Sequence, residues 1–252
     1  MEQCKTVLIT GASRGIGSEI ARHFALAGYQ VVINYNKSEK HAKELARELE
    51  YKLGVAAGEK ILTICADVAD RLQVDNMFDE AEAHFGGIDV LVNNAGIAQQ
   101  KLFTELTDDD WRKMFAIHVD GAFYCSRRAL QGMIRRHSGK IVNVSSMWGQ
   151  IGGSCEVHYS AAKAAVIGMT RALAKEVGPC GIQVNCVAPG VIDTEMNGAL
   201  PAETLESLCE ETPLGALGTC CDIAEAVFFL ADSRSDFITG QVLGVNGGMV
   251  IG

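Results

Sequence analysis

Thr6-Val-Leu-Ile-Thr-Gly-Ala-Ser-Arg-Gly-Ile-Gly17 is the stretch on which the reading of the fold turns. Thr6 to Thr10 is a short, apolar, β-branched run. Gly11, Gly15 and Gly17 make a G-x-x-x-G-x-G loop, and a helical pattern continues to about Ala27. Strand, glycine loop and helix in that order point the free amides of a helix N-terminus at a pyrophosphate. Glycine serves there for a tight turn and close backbone approach. A glycine loop alone is weak evidence for a nucleotide site; its place directly after the first strand strengthens it.

Outward from this unit the same alternation fills the chain. Strand patterns cover Gln30–Tyr35, Lys60–Ala66, Gly87–Val92, Lys140–Ser145, Ile182–Val187 and Gln241–Val245. Helical patterns lie between them: Ser38 to about Leu53 with Ser38 as N-cap, Arg71–Phe85, Asp108 to about Arg136 behind Thr107, Tyr159–Val177, about Ala202–Glu211, and Asp222–Leu230. Between Val191 and Gly218 the pattern loosens into a mobile-looking stretch. With no composition break, Pro-rich linker or internal repeat, the alternation predicts one α/β domain over residues 1–252. It is a Rossmann-type, doubly wound parallel sheet of about seven strands with helices on both faces. Ligands of such sheets sit beyond the carboxyl ends of the strands. Gly11–Gly17, Asp67, Asn94–Gly96, Ser146 and Pro189–Gly190 all fall there.

Hydrophobic residues make up 48% and charged residues 21% of the 252, enough for a sizeable core. The net charge of −9 argues against a nucleic-acid partner, whose phosphates need a basic face. No signal-peptide pattern is visible and no apolar run approaches the ~18 residues of a membrane span, so a cytoplasmic protein is expected. The nine cysteines show neither a C-x-x-C pair nor zinc spacing; they read as reduced thiols, and no metal site is expected.

The chemistry centres on Tyr159-Ser-Ala-Ala-Lys163, with Ser146 at the end of the fifth strand. Tyr159 and Lys163 stand i, i+4 and share a helix face. A neighbouring ammonium should lower the phenol pKa towards working pH and make Tyr159 a general acid. The second strand ends Asn34-Tyr-Asn-Lys37 without the carboxylate that would chelate ribose hydroxyls, while Arg14 and Lys37 could meet a 2′-phosphate. That predicts NADP(H) in preference to NAD(H).

In these motifs, together with Asn93-Asn-Ala-Gly96 and Pro189-Gly-Val-Ile-Asp-Thr194, the chain resembles the short-chain dehydrogenase/reductases. It is most similar to the 3-oxoacyl-carrier-protein reductases. It is also similar to a bacterial subgroup that reduces the 5-aminopentanone modification of elongation factor P, through Trp148 and the Ser154-Cys-Glu156 stretch. The resemblance implies a catalytic set of Ser146, which binds the substrate carbonyl, Tyr159, which protonates it, and Lys163, which binds the nicotinamide ribose. His118 stands where the family has an active-site Asn, in His118-Val-Asp-Gly-Ala-Phe123, and is assigned the proton relay of that Asn. The cofactor contacts implied are Gly11, Ser13, Arg14, Gly15, Ile16, Gly17, Asn34, Tyr35, Asp67, Val68, Asn94, Ala95, Gly96, Tyr159, Lys163, Pro189, Gly190, Ile192 and Thr194. Within that set Asn94 braces the loop, Asp67 takes the adenine amino group, and Thr194 and the backbone near Ile192 hold the carboxamide. The family also implies a homotetramer.

Three functions compete. A carrier-protein-linked ketone would want basic docking residues, for which Arg127, Arg128, Arg135, Arg136 and Arg171 are available. A small or amine-bearing ketone, including one on elongation factor P, would use Glu156 and Glu195. A non-catalytic dinucleotide-binding protein is the third, and the Ser–Tyr–Lys set weighs against it.

Overall fold

The first strand, β1 (Thr6–Ile9), divides the molecule. Val7 and Ile9 point into one core and Leu8 into the other, and all three are fully buried. A strand buried on both faces reads as a continuous apolar run, which is why this segment shows no polar alternation. The structure, a computed structural model, describes residues 4–194 and 202–251.

β1 is followed by α1 (Gly15–Leu26), β2 (Gln30–Tyr35), α2 (Glu39–Leu53), β3 (Ile61–Cys65), α3 (Arg71–Phe85) and β4 (Val90–Asn93). Then come α4 (Asp108–Phe115), α5 (Gly121–Arg136), β5 (Gly139–Val144), α6 (Trp148–Ile151), α7 (Val157–Val177), β6 (Ile182–Pro189), α8 (Ala202–Glu211), α9 (Cys220–Ala231) and β7 (Val242–Val245). The strands form one seven-stranded sheet in the order β3-β2-β1-β4-β5-β6-β7, with every pairing parallel. The order reverses between β1 and β4, which opens a crevice at their carboxyl ends. One core lies under α1, α2 and α9 and the other under α3, α5 and α7. The expected Rossmann-type architecture is therefore present. Among the described residues no helix is long and apolar enough to cross a membrane.

Local differences have physical causes. Ser38 stands at the N-cap of α2 but its side chain makes no capping bond. Asp70 does cap α3, accepting from the amides of Leu72 and Gln73. The helix expected from Asp108 to Arg136 is interrupted by a π turn over Ala116–Asp120, and His118 lies inside it. Helical periodicity is blind to one inserted residue of this kind, and such turns concentrate at functional sites. α6 was too short to show in the pattern.

Candidate active site

The residues gathered at the crevice come from several strand ends. Asn94 follows β4 and reaches across to the loop after β1, its Nδ2 donating to the carbonyls of Thr10 (2.9 Å) and Gly11 (3.2 Å). The Thr10 hydroxyl accepts in return from the amides of Asn94 and Ala95, at 2.9 and 3.0 Å. Gly17 packs so tightly that a Cβ there would sit 2.5 Å from the Gly11 carbonyl oxygen and 2.6 Å from Asn94 Nδ2. α1 begins without a side-chain cap and without an acid in its first turn. A dinucleotide pyrophosphate fits this cradle, because helix amides favour anions and nothing negative competes.

Asn34 and Tyr35, expected among the cofactor contacts, are both buried. Asn34 Oδ1 accepts from the Gly11 amide (3.2 Å) and its Nδ2 donates to the Ala66 carbonyl (3.1 Å). Its side chain thus ties the first three strand ends together. Tyr35 packs into the core under α2. Asp67 Oδ1 accepts from the Ala69 amide at 2.9 Å and shapes the turn into α3. Val68 packs against Gly121, and Ile192 bridges to Gly218. Ser13, Gly15, Ile16 and Thr194 keep partial exposure and Arg14 is exposed. Gly190 donates its amide to Val245, and the Pro189 carbonyl accepts from Met147.

Ser146, Tyr159 and Lys163 converge from β5 and α7. Tyr159 lies beside Ser146, whose hydroxyl favours the phenolate, yet burial of the phenol outweighs that and pushes it up to about 12. Lys163 is buried and donates from Nζ to the Val144 carbonyl at 2.7 Å. Its Nζ is 5.6 Å from the Tyr159 ring centroid, and burial brings it down to about 8. The depression of the tyrosine expected from the i, i+4 spacing is therefore absent here: sharing a helix face did not bring the ammonium to the hydroxyl. Ser146 Oγ also accepts from the Trp148 amide at 3.2 Å.

His118 is buried, edge-on to Tyr159 with ring centroids 5.4 Å apart. Gly96 makes room for it; a Cβ on Gly96 would lie 2.5 Å from His118 Cε1. His118 Nε2 lies 3.1 Å from the amide and 2.9 Å from the carbonyl of Ile97. In either neutral tautomer Nδ1 is left buried without a protein partner, as is Asn93 Oδ1. His118, Asn93, Lys163, Thr10 and Val144 line one small cavity with room for roughly one water. Burial, reinforced by Lys163, drives His118 down to about 3. Burial keeps the ring neutral between pH 5 and 8, so the titration that an unperturbed histidine would bring to that range does not occur here.

Several residues that position the site were not singled out in the sequence. Asn93 Nδ2 donates to Asn143 Oδ1 (2.8 Å) and Ser126 Oγ (3.0 Å), and Asn143 Nδ2 donates to Thr170 Oγ1 (2.8 Å). This buried network locks α7 to β4, β5 and α5. Its one readable signal was polar residues inside otherwise apolar strands. His158 is fully buried against Gln99, with Nε2 3.0 Å from Oε1.

Glu156 is half-buried at the start of α7, does not cap it, and accepts from Gln100 at 3.2 Å; burial raises its pKa. Glu195 lies outside the described residues. The basic docking set is reduced. Arg128 pairs with Glu82 at 2.8 Å, and Arg136 donates to the Ile88 carbonyl at 2.6 Å, at the opposite, amino end of the sheet.

Residues 11–250 match the family model described as enoyl-(acyl carrier protein) reductase. A 3-oxoacyl-[acyl-carrier-protein] reductase FabG of Staphylococcus aureus is 41% identical over 249 residues, 99% of each chain. The FabG of Aquifex aeolicus is 39% identical over 247 residues, 98% of each chain. An uncharacterised oxidoreductase of Bacillus subtilis, YmfI, is 42% identical over 245 residues, covering 97% of this chain and 98% of its own.

Proposed function

The chain belongs to the short-chain dehydrogenase/reductase family, and on that premise we propose that it is an NADPH-preferring ketone reductase acting on 3-oxoacyl groups carried by an acyl carrier protein. The observation that carries the reading is the meeting of Ser146 and Tyr159 at the carboxyl ends of the strands, beside a cradle that fits a dinucleotide. When bound, the nicotinamide supplies the hydride. The residues of this chain do the rest. Ser146 holds the carbonyl oxygen, and Tyr159 donates its proton to the alkoxide that forms there. A phenol held near 12 keeps that proton at neutral pH, as an acid must before reaction. Lys163 returns the proton through a water that bridges the orphaned atoms of Asn93 and His118, with His118 acting as a neutral hydrogen-bonding group.

NADPH preference rests on the absence of a carboxylate at the end of β2 and on Arg14 and Lys37 in its place. The same reading makes the protein a cytoplasmic homotetramer.

Glu156 supports a second reading, an amine-bearing ketone such as 5-aminopentanone on elongation factor P. A half-buried carboxylate at the start of the Tyr159 helix suits an ammonium. The experiment compares kcat/KM for an acetoacetyl thioester and a small aminoketone, each with NADPH and NADH. The first reading expects the thioester with NADPH to lead. A lead for the aminoketone establishes the second reading, and turnover of neither sinks both.

A further inference from the structure

α1 and α9 pack against each other, and each offers an i, i+4 pair to the seam: Glu19 and His23 from α1, Cys221 and Glu225 from α9. One ligand atom from each of Glu19, His23 and Cys221 lies within 4.8 Å of the other two. His23 Nδ1 is 2.9 Å from the Glu19 backbone carbonyl. A carbonyl can only accept, so Nδ1 carries a proton. In the neutral ring Nε2 is then a lone pair, and it faces Glu225 Oε1 at 3.3 Å and Cys221 Sγ at 3.8 Å. The Cys221 thiol can donate to that lone pair, and a metal ion in place of the thiol proton would draw the nitrogen, the sulfur and a carboxylate oxygen together.

The geometry suits the metal. Bond lengths of about 2.1 Å to nitrogen and oxygen and about 2.3 Å to sulfur place tetrahedral ligands about 3.4 Å (N to O) and about 3.6 Å (N to S) apart. The carbonyl on Nδ1 is the outer contact that fixes the tautomer and ring plane of a metal-binding histidine. Arg22 occupies the far oxygen of Glu19, Oε2, at 3.3 Å, and Oε1 lies 3.5 Å from His23 Nδ1.

We propose that Glu19, His23, Cys221 and Glu225 bind a borderline-soft divalent transition-metal ion of the Zn2+ class and so clamp α1 to α9. On binding, the Cys221 thiol gives its proton to solvent and the thiolate sulfur forms the bond to the ion. None of the four residues belongs to the reductase site. No spacing motif announced the cluster, because His23 and Cys221 are 198 positions apart.

The test titrates the full, reduced, metal-free chain with Co2+ as a spectroscopic probe, and with Zn2+ against a chelator of known affinity. The expected result is one Co2+ per chain with tetrahedral d–d bands and a thiolate charge-transfer band. Cys221→Ser should abolish that band. Cys221→Ser and His23→Gln should each weaken Zn2+ by at least about tenfold, whereas Cys220→Ser should leave it unchanged. Zn2+ should raise the Tm of the wild type and of neither weakened variant. Melts without metal check that the variants fold, and Glu225→Gln replaces any that does not. Failure to bind either ion stoichiometrically overturns the proposal. Binding unchanged in both variants also overturns it, by placing the ion on other thiols of the chain.

Discussion

At Tyr159 two demands meet. Burial holds the proton on the phenol, and the neighbouring Ser146 makes it easier to release. Tyr159→Phe keeps the ring and removes the donor. Steady-state assays should show kcat reduced by at least ~10²-fold, while a fluorescence titration shows NADPH bound as before. Near-normal kcat would remove Tyr159 from the chemistry. His118 makes its prediction through stability. Its folded-state pKa is about 3, against 6.5 for the free side chain. Between those values the unfolded chain takes up a proton that the folded protein refuses. His118 therefore contributes stability above pH 6.5 that is lost as pH falls towards 3. Urea unfolding at pH 7 and pH 5 should show the wild type losing more stability than His118→Asn. Equal losses would contradict the buried neutral ring. The same variant should retain activity at pH 7 without altering the limbs of the rate profile between pH 5 and 8.

At the scale of the element, the π turn between α4 and α5 is what turns His118 inward, and Gly96 after β4 is what receives it. The two depend on each other. Gly96→Ala places a methyl group 2.5 Å from His118 Cε1 and should destabilise the fold by about 1–3 kcal/mol, the usual cost of overpacking. Adding His118→Ala should relieve most of that cost, and a double-mutant cycle by urea unfolding measures the coupling. Simple addition of the two effects would show that they do not share the contact. Thr170, Asn143 and Asn93 act on α7 in a similar way, since the network through them sets the depth at which Tyr159 and Lys163 lie.

For the whole molecule, the informative surface is the β7 edge. Among the described residues β7 pairs with β6 alone, and Leu243, Phe237 and Ile251 are exposed. An apolar edge of this kind is a liability in a free monomer and is ordinarily covered. In the proposed tetramer these residues meet another copy. Leu243→Asp should then shift the mass measured by light scattering towards smaller species, and an unchanged mass would place the contact elsewhere.

The alternation of strands and helices was legible in the sequence because the central strands bury both faces and the helices one stripe, and both leave periodic signatures. Seven strands, their parallel sense and the strand-end placement of Ser146 and the glycine loop all follow from that pattern. What depended on folding was every property set by distance through space. The i, i+4 spacing put Tyr159 and Lys163 on one helix face, yet the tertiary structure sent the ammonium to the Val144 carbonyl and left the phenol raised by burial. Composition made Arg128 and Arg136 available for a partner, yet the fold pairs Arg128 with Glu82 and ties Arg136 to the Ile88 carbonyl. His118 could be located by motif, but its neutrality comes from desolvation that no local pattern encodes. Spacing along a chain determines which groups are neighbours on an element; the dielectric around them and their partners across elements exist only once the cores have closed.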